Sequence, residues 1–366
     1  MIGNPPYGNI LNESEKVLVN YYNTGDINNI VAQFVEREIE LLAEGGYFGN
    51  ITTLAVMQSS MEELHDDIRG TLADARAACF GLRGRTGIFP GVLIRTAIIT
   101  GQKDPTSEES IETSDLLVFT DETRQQCIEN VTYRPTDGLI LRDSIGGNGS
   151  RGPILPKIGS QIKRDILEHL KARDGRLFRD AYEKLDADEW GSHPVFRSAS
   201  GGYWITAMLN DLYRSSKIEG LDFASEAERK MAFLLLHSSL YYVHFATYSN
   251  QRDHLGTIFG GFPFPDEDEI EMNADRINRL ADRLWEEMET RFVRTGENRG
   301  RFSMSPLRPL IDEIDEFVGE LYDLTDEEIE YTKLYLADFH DNSCRTGEGE
   351  TTLADFGIDP IATDDD

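Results

Sequence analysis

Apolar positions in the first hundred residues fall into two alternating periods. Over 27–43 (INNIVAQFVEREIELLA) they recur at helical spacing, at Ile30, Phe34, Ile39 and Leu42, and Gly45-Gly46 closes the pattern. YFGNITTLAV (47–56) is β-rich. A second helix is expected over 60–73, with Met61, Leu64, Ile68 and Leu72 on one face. GIFPGVLIRTAIITG (87–101) is rich in β-branched residues and bounded by glycines, and predicts a strand. Strand–helix alternation of this kind predicts an α/β fold with a mixed, doubly wound sheet.

Residues 102–126, including DPTSEESIETSD, are polar and acidic and read as a linker with a short strand, DLLVF (115–119). From about 127 the texture changes to short strands, a Gly-rich loop (IGGNGSRG, 145–152) and helices near 160–172 and 225–243. Aromatic residues cluster between Trp190 and Phe264. One amphipathic helix is expected over 267–292 and another over 306–322. TDEEIEYTKLYLADF (325–339) opens with a capping box, Thr325 as cap and Glu328 at N3. The expected division is 1–104, a linker at 105–126, then 127–292, a helical region 293–345 and an acidic disordered tail 346–366.

Charge changes this picture. The 366-residue chain has a net charge of −30, and 27 of its 36 basic residues are Arg. A dense acidic surface with few lysines points to a cytoplasm at very high salt, where screening makes self-repulsion cheap. An ordinary acidic mesophilic protein is the alternative. Within 142–179, however, nine basic residues face four acids. That island is either a docking place for a polyanion or a solvated helix face. Cys79, Cys127 and Cys344 are odd in number and scattered, which argues against a disulfide framework and suits a reducing cytoplasm. No apolar run approaches membrane-spanning length, and no signal peptide is expected. His237 and His244 share a helix face without Cys or carboxylate companions, so buried histidines are the expectation over a metal site.

The chemistry is concentrated at Asn4-Pro5-Pro6-Tyr7. An Asn side-chain oxygen and the next residue's carbonyl can both accept from one exocyclic amino group, and Pro6 brings no N–H to compete. Two acceptors on one NH₂ draw the nitrogen lone pair out of conjugation, so a poor nucleophile becomes able to attack an electrophilic methyl. The Tyr ring offers a stacking surface for a flat base. The segment resembles the catalytic motif of amino-methylating DNA methyltransferases, in particular the adenine-N6 enzymes of restriction-modification and phage-defence systems. ELLAEGGYFGNITT, MEELHDDIRGTL and GIFPGVLIRTAIITG follow in the family's order, and HSSLYYVHFATYSNQRDH with FPFP (237–265), SGGYWI (200–205) and IDEIDEFVGELYDLTDEEIEY resemble its second half.

The resemblance implies a truncated Rossmann-like methyltransferase sheet, an α+β target-recognition domain and C-terminal helices. It implies Asn4, Pro5 and Tyr7 as catalytic residues and Phe89 against the target base. Pro6 and Phe34 would lie against the cofactor, S-adenosyl-L-methionine. Phe34 at helical spacing and Phe89 before an apolar strand are equally at home in a core. Double-stranded DNA is the implied partner, with Arg151, Lys157, Lys163, Arg164, Ser249, Asn250 and Arg252 as expected contacts. The family's glycine turn for the cofactor normally precedes the motif. FGLRGRTG (80–87), IGGNGSRGP (145–153) and FGGFPFP (259–265) are poor substitutes. The expectation is therefore a C-terminal part of such an enzyme, a gene fragment, a mis-called start or one half of a split enzyme, inactive alone and completed by an upstream-encoded partner. A non-catalytic DNA-specificity protein, and methylation of cytosine N4 or of a glutamine amide, remain alternatives.

Overall fold

A computed structural model describes residues 1–340 except 83–86, 105, 107–108, 120, 142–152, 174, 187–188, 190, 201–204, 214, 251–255 and 297–298. The chain divides into two compact units, one built on residues 1–165 with 246–250, the other on 166–245 with 251–353.

The first unit is organised on a six-stranded mixed sheet. Its strands are β1 (Ile2–Gly3), β2 (Tyr47–Thr53), β3 (Leu72–Phe80), β4 (Thr96–Lys103), β5 (Glu112–Leu117) and β6 (Arg134–Pro135), in the order β1-β2-β4-β3-β5-β6. β1 and β2 are parallel, with Ile2 opposite Gly49 and Gly3 opposite Asn50. β4 runs antiparallel between β2 and β3, and β5 is parallel to β3. The carboxyl ends of β1, β2, β3 and β5 therefore lie at one end of the sheet, together with the start of β4. The helices are α1 (Glu13–Lys16), α2 (Val31–Leu41), α3 (Glu62–Thr71), α4 (Arg124–Glu129) and the start of α5 (Gln161–Ala172).

Local causes for these elements are visible. α2 buries Val31, Val35 and Ile39, one stripe at helical spacing. Its last carbonyls are capped by the Lys103 ammonium, which donates to Ile39 O (2.8 Å) and Leu42 O (2.8 Å). Gly45, at φ +72°, turns the chain into β2. α3 buries Leu64 and Ile68 as expected, flanked by buried Met61 and Leu72.

Three expectations are corrected here. The stretch 87–95 is not a strand. Pro90 and Gly91 (φ +77°) make a turn there, and Val92, Leu93 and Ile94 stay exposed; β4 begins only at Thr96. The expected linker 105–126 contains β5, a central strand of this same sheet, so the sheet does not end at residue 104. The single helix expected over 225–243 is two, α6 (Glu226–His237) and α7 (Ser239–Tyr248), separated at Ser238.

The second unit holds a four-stranded antiparallel sheet in the order β7-β10-β8-β9, from β7 (Tyr182–Lys184), β8 (Pro194–Ser198), β9 (Ala207–Met208) and β10 (Ile218–Phe223). Around it lie α6, α7, α8 (Gly256–Gly260), α9 (Glu267–Met272), α10 (Ala274–Thr290), α11 (Arg308–Leu321) and α12 (Asp326–His340). β11 (Phe292–Gly296) and β12 (Arg299–Phe302) form a separate hairpin. The helix expected over 267–292 breaks at Asn273, between α9 and α10. Aromatic side chains fill this core, with Phe178 at 4.3 Å from Phe259 and 4.9 Å from Phe264 between ring centres. The capping box at α12 forms, with Thr325 N–H donating to Glu328 (2.8 Å) and Glu328 N–H to Thr325 Oγ1 (3.2 Å). Among the described residues no helix is long and apolar enough to cross a membrane. The tail 346–366, and the loops 145–152 and 201–204, lie outside the described residues.

Candidate active site

Asn4 follows β1 directly, so the motif leaves the carboxyl end of a parallel strand, the end where open α/β sheets bind ligands. Gly3 is required there. A Cβ at that position would overlap the Asn50 side chain, which is buried behind β1 and donates to Glu38. Pro5 is buried and Asn4 and Pro6 are exposed, while Tyr7 is half-buried. Among the described residues nothing donates to the Asn4 side chain or to the Pro5 carbonyl, and the Tyr7 hydroxyl also lacks a partner. The motif's acceptors are thus left unengaged by the chain itself.

The loop that carries them is pinned from both sides. Gly8, at φ +112°, donates its N–H to Asn29 Oδ1 (2.7 Å), and its carbonyl accepts from Ile30 N–H (3.2 Å) at the start of α2. Phe34 lies one turn further along α2 and is 41% exposed. It therefore stands outside the core stripe, with its ring open to a ligand. Asn29 was not singled out from the sequence, because a lone Asn ahead of a helix reads as an ordinary cap.

Beside the loop lies a cleft of about 520 Å³, lined by Asn9, Asp26, Asn28, Asn29, Ala55 and Glu62 among others. Ala55 follows β2 and Glu62 opens α3, so the cleft is at the same end of the sheet as the motif. Its wall at 24–27 is held by α2. The buried Glu36 carboxylate accepts from Thr24 N–H (2.9 Å) and Thr24 Oγ1 (2.6 Å), and Gln33 donates to Ile27 O (3.0 Å).

Phe89 sits in the connection from β3 to β4, also at that end. It is half-buried, packed against a cluster of Phe80, Ile88, Phe119 and Cys127. In the sheet β4 is separated from β1 by β2.

The expected DNA contacts fare differently. Lys157, Lys163 and Ser249 are wholly buried and cannot reach a phosphate. Lys163 pairs with Asp115 at 2.7 Å. The Lys157 ammonium has no hydrogen-bond partner among the described residues, and burial pulls its pKa down to about 7. Arg164 is half-buried and donates to Asp137 O (3.0 Å) and to Pro135 O. Asn250 is half-buried, and Arg151 and Arg252 lie outside the described residues. Further along the basic island, Arg173 pairs with Glu269 and Arg176 with Glu228, each over an aromatic ring. Much of the island is therefore internal glue.

His237 and His244 are buried, each against a backbone carbonyl, Ala207 O (3.2 Å) and Ile258 O (2.9 Å). Burial pulls both pKa values down to about 4, so they are neutral imidazoles at pH 7. Among the described residues no group of His, Cys, Asp and Glu could hold a metal ion.

Residues 1–76 match the family described as Eco57I restriction-modification methylase. The match covers the motif, α2, α3 and the cleft wall, and stops before Phe89. No curated protein matches. Solved structures that resemble the chain include the Type IIL restriction-modification enzyme MmeI in complex with DNA, at 13% identity and TM-score 0.47 over 92% of this chain. A nuclease-deletion mutant of the Type ISP enzyme LlaGI with a DNA substrate mimic follows at 12% identity and TM-score 0.41 over 77%. DNA-bound LlaBIII, also Type ISP, follows at 11% and 0.39 over 78%. The chain spans 57%, 41% and 29% of those three proteins respectively.

Of the residues expected to meet S-adenosyl-L-methionine, Phe34 and Pro6 are both exposed. FGGFPFP offers no glycine turn, since α8 ends at Gly260 and Phe262 and Phe264 are buried. Residues 83–86 and 145–152 of the other two glycine segments lie outside the described residues.

Proposed function

We propose that this chain carries the amine-methylating site of a DNA adenine-N6 methyltransferase of the restriction-modification type. One observation supports this above the others. Asn4 and the Pro5 carbonyl stand unengaged at the carboxyl end of β1, inside a segment matching a restriction-modification methylase family. In this reading a base flipped from the duplex enters the end of the sheet. Its exocyclic NH₂ donates one hydrogen to Asn4 Oδ1 and the other to Pro5 O. The two acceptors hold the nitrogen pyramidal, with its lone pair directed at the incoming methyl. Tyr7 and Phe89 hold the ring plane by stacking.

S-adenosyl-L-methionine would supply an electrophilic methyl, with Phe34 and Pro6 placed to hold its adenine. The amine held by Asn4 and Pro5 would take up that methyl and give one proton to solvent.

The test is nucleoside mass spectrometry of DNA from methylation-deficient cells expressing the chain, alone and with the reading frame immediately upstream. Appearance of N6-methyladenine in either sample is the expected result. N4-methylcytosine instead would move the assignment to the other amino-methylated base. Methylated glutamine in protein, with unmodified DNA, would overturn it.

A further inference from the structure

The net charge of −30 makes an unpaired positive surface uncommon in this chain. Much of the sequence's basic island is turned inward, as described above. A second basic stretch lies at 291–301, with Arg291, Arg294, Arg299 and Arg301 against a single acid, Glu297. It forms the β11–β12 hairpin, a two-stranded sheet by itself. Phe292 is opposite Phe302, Val293 opposite Arg301, Arg294 opposite Gly300 and Gly296 opposite Arg299, with a bulge between Arg294 and Gly296. Directly opposed residues share a face.

The two faces differ in chemistry. One carries Phe292, Gly300 and Phe302, and Tyr213 stacks on Phe292 at 5.8 Å between ring centres. A Cβ at Gly300 would overlap the Phe292 ring, which is why glycine stands there. Arg294, on this face, donates to Leu212 O (2.6 Å), so the face is fastened to the second unit. Arg291 is paired with Glu287. The other face presents Arg299, Arg301 and Val293, all exposed, Val293 to 50%. Among the described residues neither Arg299 nor Arg301 has a carboxylate partner or a side-chain hydrogen bond. The result is a narrow ribbon with an aromatic root and a bare cationic front.

A two-stranded β-ribbon is one of the two elements that B-DNA's major groove admits, and unpaired guanidinium groups suit both phosphate oxygens and guanine edges. A bulge increases ribbon twist, which helps it follow the groove. We propose that the Arg299–Arg301 face of the β11–β12 ribbon docks on duplex DNA. This rests on the DNA-methylating reading for the choice of duplex DNA among polyanions, and adds a surface that the sequence placed in a helical region.

The experiment is fluorescence anisotropy of the full chain on a labelled random-sequence duplex across a KCl series, with R299A/R301A, R299K/R301K and the exposed α10 variant R279A. Each phosphate contact contributes about 0.9 to the slope of log affinity against log salt. The double-alanine variant should therefore lose about 1–2 in slope and about tenfold or more in affinity at low salt. R299K/R301K should retain the slope, R279A should match the parent, and all four proteins should share one thermal midpoint. Parent and double-alanine curves that coincide would overturn the ribbon and leave the methylation reading standing, since that rests on the nucleoside product. No duplex binding by the parent, or displacement of duplex by single-stranded RNA at equal phosphate, would also overturn it.

Discussion

At the scale of single residues, the account depends on groups the fold leaves unengaged. Phe89 is half-buried against Phe80 and Phe119, and the stacking role proposed for it predicts a separable effect. Phe89→Ala should weaken the DNA complex in turnover by about 5–150-fold, the range expected for losing about 1–3 kcal/mol of ring stacking. Phe89→Tyr should keep most of it. Steady-state kinetics with varied DNA checks this, and equal loss in both variants would contradict stacking. Lys157 makes a second prediction. Its pKa falls from 10.5 to about 7 in the fold because burial disfavours the ammonium. Between those values the unfolded chain holds a proton that the folded chain lacks, so this residue makes stability rise with pH from about 7 upward. Below pH 7 both states are protonated and the full penalty applies. Lys157→Met should therefore raise stability by about 1–4 kcal/mol at pH 6–7, with the gain shrinking towards pH 10 in urea melts. A gain that is constant with pH would contradict an unpartnered ammonium. The Asn4–Tyr7 segment could be singled out in the sequence because its four residues are contiguous. It could not show that Lys157 and Lys163 are buried, because a charge count carries no information on which side of the surface a lysine lies.

At the scale of elements, the motif loop is held by the start of α2. Asn29 accepts from Gly8 N–H and, more weakly at 3.4 Å, from Val31 N–H. Asn29→Ala should cost about 1 kcal/mol in stability and reduce methyl transfer more than it reduces DNA binding, while Asn29→Asp, which keeps the acceptor, should restore most of the rate. Comparable losses in both variants would contradict a positioning role. Both α2 and α3 were readable as helices from spacing alone, but only the buried stripe of α3 was read correctly. Phe34 was drawn into the α2 stripe because its position is nearly in phase, yet the buried line is Val31, Val35 and Ile39. The breaks at Ser238 and Asn273 were hidden because apolar periodicity continues across them. β5 was partly legible as the short strand DLLVF, but its place in the sheet was not, because its pairing with β3 is a non-local parallel contact that no local pattern encodes.

At the scale of the molecule, a net charge of −30 on 366 residues sets the solution conditions. The acidic, Lys-poor composition carries the expectation of adaptation to high salt. The thermal midpoint should rise steadily from about 0.1 M to molar KCl as self-repulsion is screened. A midpoint that peaks at low salt would contradict this. The same screening weakens phosphate contacts, so the proposed DNA recognition would at high salt lean on base edges, stacking and shape. The expected boundary at residue 104 failed because a change in composition was taken for a change in fold. The sheet runs on through β5 and β6, and the units divide at residue 165.

The central claim is that Asn4 accepts the amine that becomes methylated. Its most direct test is transfer of tritiated methyl from S-adenosyl-L-methionine to unmethylated DNA by whichever sample is active, the chain alone or co-expressed with the reading frame immediately upstream, beside the same sample carrying Asn4→Ala. Loss of one good acceptor in the transition state should lower the rate by about 10²–10³-fold with DNA affinity unchanged. Transfer at the parent rate by Asn4→Ala would contradict the account.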